Sequence, residues 1–160
     1  MGTFEIAQIC LNGHVITKMA GGHPENRKQY CTECGEETIM TCQNCNIDIK
    51  GYYYVPGVIG AYEYHKPKYC EKCGQAFPWT DRQLKAAKEL IDFSDSLNSE
   101  EKLELQSSIT DLIKGGPQTI VAQARYKKYI EKAGSEVAKA IREILVDVVS
   151  ETVKQAIWGQ

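Results

Sequence analysis

All seven cysteines and all three histidines lie within the first 79 of 160 residues. Six cysteines form three Cys-x-x-Cys pairs: Cys31 with Cys34, Cys42 with Cys45, and Cys70 with Cys73. The seventh, Cys10, precedes His14 in "CLNGH". Thiolates and imidazole at this spacing suit metal capture, because two intervening residues let the chain turn and aim both ligands at one ion. Such a turn wants a left-handed residue just after the second ligand, which glycine adopts freely and asparagine at little cost. Gly35, Asn46 and Gly74 stand there, and Asn12 and Gly13 lie inside the "CLNGH" pair. Seven thiolates and one imidazole are enough to fill two tetrahedral zinc sites. The predicted ligands are therefore Cys10, His14, Cys31, Cys34, Cys42, Cys45, Cys70 and Cys73, and the predicted cofactor is a pair of Zn2+ ions. His23 is the rival for the place of His14, but its "GGHPEN" loop lacks knuckle residues. His65, in "YHKPKYC", reads as a surface-loop residue.

Three groupings are open. In the favoured, sequential one, the first two pairs share one ion and the last two share the other, across gaps of 16 and 24 residues. Each gap has room for a strand, a turn and a return strand. "GEETIMT" would then be a strand shared by the two sites. A crossed grouping joins the first pair to the third and the second to the fourth. A third closes Cys31, Cys34, Cys42 and Cys45 around one ion, which leaves the outer pairs 55 residues apart. Zinc is preferred over iron because the set is thiolate-rich and nothing favours electron transfer. Closed sites imply a structural role, with metal supplying much of the folding energy of a half too small for a large core.

The elements that must position these ligands follow from composition. The cysteine-bearing half, residues 1–79, also holds seven of the nine tyrosines. Residues 80–160 have no cysteine or histidine and read as about four helices. Thr80 with Gln83 predicts a capping box, followed by Leu84, Ala87, Leu90, Ile91 and Leu97 at helical spacing. "LNSEEK" predicts a restart capped by Ser99, then a stripe of Leu105, Ile109, Leu112 and Ile113 ended by "KGGP". A third helix is expected over 118–132. One long helix is expected over 136–158, with an apolar stripe from Val137 to Ile157 too wide to be left in water. The fold class is therefore α+β, a small β-rich double zinc ribbon over 1–79 and a helical region over 80–160.

Charge bounds the function. The chain is −2 overall, with 7 basic and 8 acidic residues in 1–79 and 12 and 13 in 80–160. Thiolate ligation of two dications would take the first half to about −4, which disfavours nucleic acid there. An odd cysteine count excludes a complete internal disulfide set. The opening has no basic region followed by an apolar run, Ile6 stands where a myristoylation motif wants Ser or Thr, and no stretch approaches the ~18 apolar residues that span a bilayer. A cytosolic protein without membrane contact is expected, a setting where paired cysteines hold metal more often than they form disulfides.

"AQICLNGHVIT", "YCTECGEETIMTCQNCNIDIKGYYYVPGV", "YCEKCGQAFPWT", "LKAAKEL" and "ILVDVVSE" together resemble a bacterial family known as a domain of unknown function with zinc-ribbon-like cysteine pairs. The similarity covers nearly the whole chain. It implies that Cys10, Gly13, His14, the three Cys-x-x-Cys pairs, Pro78 and Trp79 are pattern positions, and it supports His14 over His23. It implies no reaction.

Other features have bland readings. The tyrosine-rich "GYYYVPGVIGAYEYHKPKY" is expected to be a β-hairpin covering the zinc core, with a recognition surface as the alternative. Phe77 and Trp79 are expected to pack at the joint between the halves. "RYKKYIEK", 125–132, is the most basic run and is read as a solvated helix face. Neither a phosphate-binding glycine loop nor a nucleophile with a base at known spacing is present, and no carboxylate pair stands apart. The expectation is a non-enzymatic protein-interaction module that assembles with itself or a protein partner through the C-terminal helices. The alternative is a nucleic-acid-binding regulator using ribbon loops and Arg125, Lys127, Lys128 and Lys132 with Tyr126 and Tyr129.

Overall fold

The computed structural model describes residues 1–60 and 63–159. The fold is α+β and divides into two compact units, Met1–Asp81 and Arg82–Gln160.

The first unit contains two small antiparallel sheets. Strands β1 (Thr3–Ile6) and β5 (Lys50–Tyr54) pair with Phe4 opposite Tyr53. Strands β2 (Gln8–Cys10), β3 (Val15–Thr17) and β4 (Thr38–Ile39) form the second sheet in the order β3-β2-β4, with Cys10 opposite Thr38. Ala7, Ile9, Cys42, Ile49, Cys70, Phe77 and Trp79 make the core. The Phe77 and Trp79 rings stack at 4.8 Å, and the indole N–H donates to the Pro67 carbonyl. Buried Gln8 ties β2 to the loop before β4 through Lys28 and Thr38.

Among the described residues, the expected hairpin in the tyrosine-rich stretch does not form; its first strand is β5, which pairs with β1. The N-terminal strand completes the sheet instead, and Tyr53 packs on Phe4 at 4.8 Å. Ala61 and Tyr62 of that stretch lie outside the described residues.

Among the described residues the helical part has five α-helices, not about four: α1 (Pro78–Asp92), α2 (Ser99–Lys114), α3 (Thr119–Ile130), α4 (Ser135–Leu145) and α5 (Glu151–Trp158). The expected long last helix breaks after Leu145. The N–H groups of Val148 and Val149 both bond to the Leu145 carbonyl, burying both valines, and Ser150 caps the new helix through the Val153 N–H. Two start positions also differ. Helix α1 opens on Pro78, whose fixed φ suits a first helical position. Thr80 sits within the first turn and donates its hydroxyl to the Lys68 carbonyl instead of capping. Helix α2 is capped by Asn98, not Ser99, because Glu101 lies three residues after Asn98 and completes a reciprocal box. The stripe Leu105, Ile109, Leu112 and Ile113 is fully buried, with α2 packed on α3 and α3 on α5. Ile141, Leu145, Val148, Val149 and Val153 are also buried, so the wide stripe is largely satisfied within the chain. Among the described residues, no helix is long and apolar enough to cross a membrane.

Candidate metal centres

Three knuckles share one backbone design. The N–H of the first cysteine donates to a carbonyl five residues on: Cys31 to Glu36, Cys42 to Ile47 and Cys70 to Gln75, each at 2.8 Å. The N–H four residues on returns to the carbonyl of that first cysteine, from Gly35, Asn46 and Gly74 at 2.8–2.9 Å. Those three residues have φ of 76°, 63° and 74°, the left-handed turn that glycine and asparagine permit. A single bridge closes each knuckle: Tyr30 with Glu37, Thr41 with Asp48, and Tyr69 with Ala76.

"CLNGH" is a one-residue variant on the β2–β3 turn. Cys10 N–H donates to the His14 carbonyl, and Gly13 N–H donates back to Cys10. The left-handed residue, Gly13 at φ 94°, comes before the second ligand instead of after it. A Cβ on Gly13 would sit 2.9 Å from the Trp79 Cβ, so this position needs glycine twice over. Lys66, 53 residues away, donates its ammonium to the Gly13 carbonyl at 2.6 Å and pins the turn.

Strand pairing brings the knuckles together. Cys10 ends β2 beside β4, which follows the Cys31–Cys34 knuckle; β4 then leads into the Cys42–Cys45 knuckle. The result is two clusters, Cys10–His14–Cys31–Cys34 and Cys42–Cys45–Cys70–Cys73, each with ligand atoms within 4.8 Å of one another. This is the sequential grouping; neither the crossed nor the central four-cysteine arrangement is formed. His23 pairs with Glu25 in an exposed turn, and neither it nor His65 joins a cluster among the described residues.

The separations fit a tetrahedral ion. Zinc–ligand bonds of about 2.3 Å to sulfur and about 2.0–2.1 Å to nitrogen put two sulfurs about 3.8 Å apart and a sulfur and a nitrogen about 3.6 Å apart. The Sγ pairs Cys10–Cys34, Cys42–Cys73 and Cys45–Cys70 stand at 3.7, 3.7 and 3.6 Å. The Nδ1 of His14 is 3.4 Å from Cys10 and 3.6 Å from Cys31. A disulfide would require about 2.05 Å.

The protonation balance points the same way. The Glu36 N–H holds the Cys34 thiol down at about 6, helped by the Asn12 and His14 side chains. Burial pushes Cys10 up. In the second cluster, the Asn44 side chain and then the Gln75 N–H hold Cys73 at about 6. The Cys73 N–H lowers Cys70. The Ile47 N–H pulls Cys45 down, but burial and the three neighbouring sulfurs outweigh it and push that thiol up to about 11. Four sulfurs this close cannot all ionise by themselves, and a central cation would relieve that repulsion.

Sequence reasoning missed Lys66 and Asn44 in the supporting layer, and read Asn12 as a turn residue only. The two asparagines lie inside ligand pairs and were visible there as amide donors beside thiolates. Nothing local marks Lys66.

Residues 3–157 match the family described as "Uncharacterized protein conserved in bacteria (DUF2321)". The chain belongs to this bacterial family. No curated protein and no solved structure matches the chain. The family match spans both units, so the metal-type clusters and the helices belong to one conserved unit of sequence.

Proposed function

We propose that the chain is a zinc protein whose N-terminal half is a double zinc ribbon and whose role is non-enzymatic protein interaction in the cytosol. Cys10, His14, Cys31 and Cys34 would hold one structural ion, and Cys42, Cys45, Cys70 and Cys73 the other. The observation that carries this reading is that each cluster brings four ligand atoms within 4.8 Å of one another, with sulfur–sulfur and sulfur–nitrogen separations of 3.4–3.7 Å near tetrahedral edge lengths. A set already complete in protein ligands leaves no place for a reactive water, which is the mark of a structural site. Soft thiolates favour zinc over magnesium or calcium.

Native mass spectrometry of the wild type and of His14→Ala tests the metal assignment. Two zincs in the wild type and a weakened or lost zinc in the variant are expected. One zinc in the wild type, or two held equally well by the variant, would overturn it.

Nucleic-acid regulation is the second reading. It rests on exposed Lys127 and Lys128, but its aromatic component is lost. Tyr126 and Tyr129 are buried in the helical core and cannot stack on bases.

A further inference from the structure

A groove of about 490 Å³ opens between α3, α4 and α5, within the size range of small-molecule sites. Its floor is apolar: Ile130 from α3, Ala138 from α4, and Ile157 and Trp158 from α5. These side chains are not sealed beneath other helices. Its rim is cationic. Lys127, Lys139 and Arg142 line it against one acid, Glu131. The surrounding sequence, 80–160, has 12 basic and 13 acidic residues, so a three-to-one excess here is a local departure.

The cations are arranged to receive a ligand. Arg142 lies over the Trp158 ring, its guanidinium 5.0 Å from the centroid. That cation–π contact holds the guanidinium at the groove rim, where its N–H groups can fork onto a carboxylate or phosphate. Tyr126, which is buried, lines the groove beside Trp158. Among the described residues, Lys127 and Lys139 have no ion-pair or hydrogen-bond partner. Lys132, just beyond the groove, is committed to Glu101.

We propose that this groove binds a small amphipathic anion, an apolar tail bearing a single acidic head, carboxylate or phosphate. The tail would lie on Ile130, Ile157 and the Trp158 face. The head would meet Arg142 and the two lysines. The floor argues against a nucleic-acid backbone, which would use the cations but leave the apolar surface wet.

The test uses the full-length, metal-loaded protein and the indole N–H resonance of Trp158, assigned by its loss in Trp158→Phe. The probes are octanoate, octyl phosphate, octanol, inorganic phosphate and a 12-mer of thymidine. Octanoate or octyl phosphate should shift the resonance saturably, and the tighter of the two identifies the head group. Octanol should bind roughly tenfold more weakly, the loss expected when a charged hydrogen-bonding head is removed. Arg142→Gln and Lys139→Gln should each weaken the favoured anion by roughly the same factor. If Arg142→Gln loses its helical circular dichroism, the exposed Lys139→Gln decides. Absence of a saturable shift, octanol binding as tightly as the anions, inorganic phosphate matching octyl phosphate, or displacement by the thymidine 12-mer at lower concentration would each overturn the proposal.

Discussion

Gly51, in β5, carries no ligand and makes no turn, yet a Cβ there would meet backbone more closely than at any other glycine whose surroundings are described. A Cβ there would come within 2.2 Å of the Lys18 carbonyl and 2.9 Å of the Ala7 nitrogen. Those neighbours are backbone and cannot rotate away. Gly51→Ala should therefore lower stability by about 2 kcal/mol, in the range of an overpacked core, read as a fall in the urea midpoint of the zinc-loaded protein. A midpoint within error of wild type would show that the strands can separate at no cost. Gly51 was not visible as special in "KGYYY", because its crowding comes from residues more than thirty positions away. The knuckle glycines were visible, since Gly35 and Gly74 serve a turn made entirely of near neighbours. The same contrast separates Asn44, legible inside its pair, from Lys66, which reaches Gly13 across 53 residues.

Helix caps are the element-scale feature most open to test. The Asn98 side chain accepts from the Glu101 N–H at 2.9 Å, and the Glu101 carboxylate accepts from the Asn98 N–H at 3.0 Å. Lys132 also meets Glu101, holding its carboxyl below the usual range. Asn98→Ala should cost about 1 kcal/mol, the typical worth of an N-cap, measured by thermal melting followed through helical circular dichroism; Ser99→Ala should cost measurably less. Equal losses would mean that the Asn98 box contributes nothing. Apolar periodicity alone located every buried apolar position of α2; it did not mark Ser108, which is buried with its hydroxyl donated to the Leu105 carbonyl. It failed between α4 and α5, where the stripe runs on but the backbone does not. Val146–Val149 turn tightly so that two valines face inward, and only Ser150 marks the restart.

At the scale of the whole molecule, the core of the first unit is seven residues, two of which, Cys42 and Cys70, belong to the second cluster. If those cysteines ligate the proposed ion, a core that includes them should not survive metal loss. Chelation of the full-length protein is expected to collapse the NMR dispersion of residues 1–81 while most helical circular dichroism persists, since α2–α5 bury an apolar stripe of their own. Retained dispersion in the first unit after complete zinc removal would contradict a structural role for the ions. The sequence by itself determined which residues stand in ligand pairs and which turns present them, because a knuckle is closed by hydrogen bonds spanning five residues. It also determined that the second half is helical, because the 3.6-residue period is local. Only the tertiary structure decided how the pairs group. That depends on β2 lying beside β4, a contact between residues about thirty positions apart that competes with other pairings of equal local merit. Tertiary packing likewise turned Tyr126 and Tyr129 inward and left Lys127, Lys139 and Arg142 around one groove, because burial on three helices is set by their mutual packing and not by any one helix's pattern.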